Sequence, residues 1–233
     1  IAVTLVGKEV NGKKRWLGVG SLSFQPTEFV KIALIIFLAV LITRMGAKVN
    51  EWNNMFRVMG LAIPIAGIVA ANNLSSGIII CGIAFVMMFI ACKRKWPFIA
   101  MVALGITVIV FAPPVAIALE KAGILHSYQL SRILVWKNPE AYPKSGGYQV
   151  LQGLYAIGSG GVFGQGLGSS MQKLGFVPEA QNDMIFSIIC EELGLFGAIC
   201  VILMYILLLW RLLLIATNAK DMFGSYLVIG IMV

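Results

Sequence analysis

The sequence predicts an all-α polytopic membrane protein, and three observations carry that reading. Successive runs of roughly 18 or more nearly uncharged residues have the length a helix needs to cross a bilayer. Hydrophobic residues make up 59% of the 233 and charged residues only 12%, about half the charge of a soluble domain. The mean hydropathy is +0.91. The runs do not alternate polar with apolar positions, which excludes a transmembrane β-barrel.

The net charge of +8 is read as loop lysines and arginines at membrane surfaces, and no nucleic-acid partner is expected. The four cysteines, Cys81, Cys92, Cys190 and Cys200, fall inside or at the ends of apolar runs without ligand spacing, so they read as packing residues. Ile1 opens in mid-span with no basic segment ahead of it, and Val233 closes within another apolar run. The chain is therefore expected to be an internal piece of a longer protein.

In chain order, residues 1–6 read as the tail of a span. Gly7 to Phe24 reads as a polar loop with Lys8, Lys13, Lys14, Arg15 and Trp16. The first complete span is expected over Pro26 to Ile42, where the proline suits the first turn of a helix. Glu28 and Lys31 are three apart, share a face and can pair. A basic loop at 44–57 precedes a second span, Met55 to Ala71. The polar break Asn72 to Gly77 is a tight connection or a broken helix lining a cavity. The third span, Ile78 to Ala91, is short enough to begin inside that break. A fourth covers Phe98 to Leu119, and Pro113 and Pro114 are expected to kink or interrupt it.

The long connection, about 120–182, carries aromatic and aliphatic residues throughout, a poor composition for disorder. It is expected to be a folded loop with short amphipathic helices at the interface. The fifth span, Met184 to Leu208, holds Glu191 and Glu192, and carboxylates are costly in hydrocarbon. A polar turn from Thr217 to Gly224 leads to the start of a further span at Ser225. The loops at 44–57, 93–97 and 211–221 share one side, and the compact Lys93-Arg94-Lys95 run assigns that side to the cytoplasm. The long loop then faces outward.

Glycines in Gly158 to Gly168 let backbone approach a bulky ligand. A nucleotide loop is rejected, because no strand precedes them and no Gly-Lys-Ser/Thr follows. His126 has no partner for a metal or a triad. Arg15, Arg132, Lys137 and Lys173 could neutralise phosphates. Asp183, at the mouth of the fifth span, has two readings that spacing leaves open. It could cap the helix, or, kept ionised by the helix dipole, act as a general base.

Three motifs point further. One is Tyr148-Gln149, Ala156 to Gly168, Gln172-Lys-Leu-Gly-Phe-Val-Pro-Glu-Ala180, Asp183-Met-Ile-Phe186 and Glu191-Glu-Leu-Gly194. The others are Asn11-Gly, Arg15-Trp and Gln25-Pro-Thr-Glu28-Phe-Val-Lys31, and Arg132, Asn138-Pro139 and Gly147-Tyr148-Gln149. Together they resemble the SEDS family of shape, elongation, division and sporulation proteins (FtsW/RodA/SpoVE), and Ser170-Met-Gln-Lys173 before Pro-Glu-Ala is more like the FtsW and SpoVE branches.

The resemblance implies a single SEDS membrane domain over 1–233, with about five complete spans of an implied ten. The implied activity is a peptidoglycan glycosyltransferase that polymerises lipid II at the outer face of the cytoplasmic membrane. Asp183 falls on the family's catalytic aspartate. Arg15, Lys173 and Arg132 are expected at the substrate, and Glu28, Lys31, Glu191 and Glu192 as cavity or structural residues. Glu191 and Glu192 are expected to be buried braces, about 12 Å from Asp183 along a helix. No cofactor is implied beyond a possible divalent cation, Mg or Mn. Expected partners are lipid II, a class B penicillin-binding transpeptidase and divisome or related membrane proteins. The sequence departs from the family at Gln181-Asn182, where His-Thr is usual, and at Gln129, where an arginine is often found. The alternatives are a lipid II flippase, since broken spans around a polar cavity suit transport, and a non-catalytic division scaffold.

Overall fold

The structure is a computed structural model that describes residues 8–10, 13–19, 22–121, 134–143 and 146–233. His126, Gln129 and Arg132 lie outside the described residues. The chain divides into two compact units, one of Ile1–Met101 with Leu209–Val233 and the other of Val102–Leu208.

The first unit opens with a three-stranded antiparallel sheet, β1 (Lys8–Val10), β2 (Lys13–Val19) and β3 (Leu22–Phe24), in the order β1-β2-β3. The sequence reading of this stretch as a plain loop is thus corrected. Val10 pairs with Lys13 and Leu17 with Phe24. Asn11-Gly12 occupies the two-residue gap between Val10 and Lys13, and Asn-Gly is the favoured sequence of a two-residue hairpin connection.

Helix α1 spans Pro26–Met45, with the proline in its first turn. The Lys31 ammonium meets Glu28 at 2.7 Å, the pairing expected from their spacing. Leu34, Ile35, Leu38, Ala39 and Ile42 are buried on one face, while Ile32, Ile36 and Phe37 stay exposed. In water that exposed face would be a liability. Hydrocarbon is as apolar as the side chains and imposes no such cost.

Helices α2 (Trp52–Asn72) and α3 (Leu74–Ala91) are separated by one residue, Asn73, whose side chain accepts from Ser76 N at 3.4 Å. The third span therefore begins inside the polar break. The two helices fold back on each other through small residues. A Cβ on Gly77 would stand 2.5 Å from Ala70 Cβ and 3.0 Å from the Ala66 carbonyl oxygen. Close backbone approach of this kind replaces hydrophobic burial as the source of helix association in lipid. Helix α4 covers Trp96–Lys121. It continues past Pro113 and Pro114, so of the kink or interruption expected there the interruption does not occur.

At one end of the first unit the two basic loops meet, as their shared side requires. Lys93 N donates to Asn50 Oδ1 at 2.6 Å, and the Arg94 guanidinium stands 6.0 Å from the Trp52 ring.

The second unit holds α5 (Gly147–Gly160), a helix inside the long connection. Helix α6 runs from Ile185 to Thr217, with non-helical geometry at Gly194 (φ 64, ψ −161). The expected end at Leu208 is passed. Helix α7 (Met222–Met232), capped by Asp221 accepting from Gly224 N at 3.2 Å, returns to the first unit. There a Cβ on Gly230 would press on Ile35 and Met87. Among the described residues four stretches are long and apolar enough to cross a membrane: Pro26–Asn50, Trp52–Ala70, Leu74–Ala91 and Ile185–Thr217.

Gly77→Leu is expected to force α2 and α3 apart. Overpacking of this kind costs about 2 kcal/mol, read as a fall in thermal unfolding temperature of the detergent-solubilised protein.

Candidate functional site

The site of the second unit is built around the break in α6. In an unbroken helix the N–H groups of Leu195 and Phe196 would bond the carbonyls of Glu191 and Glu192. Gly194 sits in a backbone region that only glycine enters readily, so those four groups part company. The glycine-rich stretch 160–166 supplies a replacement for each. Leu195 N donates to Gly161 O (2.9 Å) and Phe196 N to Val162 O (3.1 Å), while Gln165 N donates to Glu191 O (2.9 Å) and Gly166 N to Glu192 O (3.0 Å). Cβ atoms on Gly160, Gly164 or Gly194 would overlap backbone across this junction. Helix α5 approaches the start of α6 by the same device, since a Cβ on Gly153 would overlap Met184.

The break places Glu191 and Glu192 in the last turn before Gly194. An unbroken α6 of 33 residues would be roughly 50 Å long, well beyond a bilayer core of roughly 30 Å. The part after the break, about 23 residues or roughly 35 Å, is the better match to a span. The two glutamates therefore precede that part and do not lie a third of the way along one straight span.

Their side chains fix the segment 170–173. Glu191 is 1% exposed. It accepts from Ser170 Oγ at 2.5 Å, Met171 N at 3.1 Å and Gln172 N at 3.4 Å. Ser170 Oγ in turn accepts from Lys173 N at 3.1 Å. Glu192 pairs with the Lys173 ammonium at 2.6 Å. A buried carboxylate is tolerated when several donors replace its water, and Glu191 meets that condition. The structure thus gives the two glutamates one job each: Glu191 braces the loop, and Glu192 orients Lys173.

An open cleft of about 550 Å³ lies beside this bracket, lined by Lys173, Glu179, Gln181, Asn182, Ile185 and Ile188 among others. Asp183 is not among its lining residues; it follows Asn182 at the entry to α6 and is exposed. The expected helix cap is not formed. The Asp183 carboxylate accepts no hydrogen bond from the described residues, and the Asn182 amide instead donates to Glu179 Oε2 at 2.8 Å. Arg15 lies on β2, and Glu28 and Lys31 on α1, in the first unit. Lys173, Asp183, Glu191 and Glu192 all belong to the second. Among the described residues no group of three or more His, Cys, Asp or Glu could hold a metal ion.

The splice across Gly194 and the left-handed backbone of Glu179 (φ 54) were not foreseen from the sequence. Gly194→Ala is expected to destabilise the protein by at least about 2 kcal/mol, because the backbone region is closed to a Cβ-bearing residue and its Cβ would meet Gly164 and Val162. Glu191→Ala is expected to cost about 2 kcal/mol, leaving the buried Ser170 hydroxyl and two partly buried backbone N–H groups without their acceptor, whereas Glu191→Gln retains one acceptor oxygen and costs less. Thermal unfolding and limited proteolysis within 160–175 would read both.

Comparison with known proteins follows the same outline. The family model FTSW_RODA_SPOVE, described as "Cell cycle protein", matches residues 1–233. Stage V sporulation protein E of Bacillus subtilis is 37% identical over 231 residues, covering 97% of this chain and 60% of that relative. A probable peptidoglycan glycosyltransferase FtsW of Coxiella burnetii is 35% identical over 236 residues, covering 99% of this chain and 61% of the relative. The chain thus spans about three fifths of the length of the curated relatives it matches. Among solved structures, a chain from "Structural coordination of polymerization and crosslinking by a peptidoglycan synthase complex" superposes with a TM-score of 0.75 at 25% identity, covering 99% of this chain and 61% of that one. The rod shape determining protein RodA of Thermus thermophilus shares the fold, with a TM-score of 0.60 at 21% identity over 99% of this chain and 56% of its own. With its membrane-spanning helices and a family match from end to end, this integral membrane protein belongs to the FtsW/RodA/SpoVE family.

Proposed function

We propose that this chain is part of a peptidoglycan glycosyltransferase that polymerises lipid II into glycan strands during cell division or sporulation. On this reading residues 1–233 form one membrane domain of the cytoplasmic membrane, with the connection at 120–182 on the outer face. The observation that carries it is the contrast between Asp183, exposed and free of hydrogen bonds from the described residues, and Lys173, held by Glu192 on the wall of the neighbouring cleft. One group is open for proton transfer and the other is a fixed cation. Relatives named as probable peptidoglycan glycosyltransferases support the same assignment.

The chemistry is a displacement at an anomeric carbon. The 4-hydroxyl of one lipid-linked disaccharide attacks the anomeric carbon of the growing chain. A C–O bond forms there as the bond to undecaprenyl pyrophosphate breaks, and Asp183 takes the hydroxyl proton. The leaving group departs with its electron pair as an anion. Lys173 has donor capacity beyond its bond to Glu192 and meets that developing charge. A class B penicillin-binding transpeptidase, with other division membrane proteins, is the expected assembly partner; a relative of this fold was solved in a peptidoglycan synthase complex.

Asp183→Asn in the full-length protein, assayed with its partner on purified lipid II, is expected to lower the polymerisation rate by about 10²–10⁴-fold, the range of general-base contributions. Lys173→Met is expected to raise KM for lipid II. Polymer formed at the parent rate by Asp183→Asn would end the base assignment. Absence of polymer from the parent protein itself, with labelled lipid II still crossing vesicles, would make it a transporter.

A further inference from the structure

Asp183 poses a positional problem. A base must be placed to within a fraction of an ångström of the proton it takes, yet no described side chain holds this carboxylate. Its position is set by the turn that carries it, and that turn is organised by one residue. Glu179 is the only non-glycine with positive φ among the described residues, at 54°. Such a conformation is unfavourable for a residue with a side chain and persists where the surroundings over-determine it. Here they do. The Glu179 carbonyl accepts from Asn182 N at 3.0 Å and from Met184 N at 3.3 Å, one on each side of Asp183. Its carboxylate accepts from the Asn182 amide at 2.8 Å. Glu179 therefore ties down both chain neighbours of Asp183 while making no hydrogen bond to Asp183 itself. Its side chain also lines the cleft.

We infer that Glu179 is a positioning residue for Asp183: its left-handed backbone closes the 179–184 turn about its own carbonyl, and its carboxylate anchors Asn182, so that the Asp183 carboxylate is held in place with its lone pairs open. The departure at Gln181-Asn182 fits this device, because Asn182 supplies the amide that Glu179 grips. The inference rests on Asp183 being the general base.

A variant series in the full-length protein with its partner separates the backbone role from the carboxylate role. Glu179→Gly accepts positive φ freely but loses the anchor. It is expected to unfold at the parent temperature and to lose at least tenfold in kcat for lipid II polymerisation, with KM within about threefold. Glu179→Gln keeps an acceptor oxygen for Asn182 and is expected to rescue most of kcat. Glu179→Ala is expected to lose both stability and kcat. Asn182→Ala removes the anchor without touching the strained residue and is expected to reproduce the kcat loss, which keeps the test intact should Glu179→Gly fold poorly. Parent-like kcat in Asn182→Ala, or in a well-folded Glu179→Gly, overturns the inference. So does a rise in KM at unchanged kcat, which would make Glu179 a substrate contact. Asp183→Asn run alongside distinguishes the two levels. If it stays active, the base assignment fails and this inference with it; if it is inactive while Glu179→Gly or Asn182→Ala is normal, the positioning role alone fails.

Discussion

Breaking a helix parts backbone donors from their acceptors, and each group left unsatisfied away from water costs free energy comparable to a lost hydrogen bond. Gly194 creates that problem for the carbonyls of Glu191 and Glu192 and the N–H groups of Leu195 and Phe196. The stretch 161–166 answers it with two acceptors followed by two donors, in matching order. The exchange demands close backbone approach on both sides. That accounts for glycine at 160, 164 and 194, where any Cβ would overlap the opposing chain. The glycine string that superficially resembles a phosphate loop is therefore a loop for binding backbone.

Everything at the site follows from where that junction fixes the last turn before Gly194. It sets Glu191 and Glu192 against the segment 170–173. Glu191 spends its acceptor capacity on a hydroxyl and two backbone N–H groups. Glu192 is left partly open and takes the Lys173 ammonium. Placing two carboxylates side by side is costly in an apolar medium unless each has its own compensating donors, and here the two donor sets do not overlap. The result is a rigid wall for the cleft, made from a loop that would otherwise carry the mobility of a long connection.

The large features of the fold were legible in the sequence because lipid makes them so: long uncharged runs give spans, and a Glu–Lys spacing of three gives the pair on α1. The contact partners were less legible. A glycine announces that something comes close without saying what, and the partners of Gly160 and Gly164 lie about thirty residues away. The strands at 8–24 were hidden because their evidence is local, an Asn-Gly hairpin signal within a short basic segment. At Pro113 and Pro114 the dipeptide alone left a kink and an interruption open, because a proline's cost depends on how the freed carbonyls are satisfied. At the site, spacing left Asp183 open between a cap and a base, and what disfavours the cap is a detail that spacing cannot show: the neighbouring amide of Asn182 is turned toward Glu179.

Asp183 and Glu191 stand eight residues apart in one segment and have opposite fates, and the difference separates chemistry from architecture. A carboxylate that already holds three donors has little acceptor capacity left to offer, and taking up a proton would weaken its hold on the loop. Glu191 is in that state, buried and fully engaged. An exposed carboxylate is available, but availability alone gives poor geometry, because nothing fixes its distance to a reacting group. The turn beneath Asp183 resolves the conflict by moving the restraint from the side chain to the backbone. The N–H groups on either side of Asp183 are bound to a single carbonyl, so the chain is held while the carboxylate is left free. On the proposed assignment, fixing the residue through its neighbours keeps the base both open and in place.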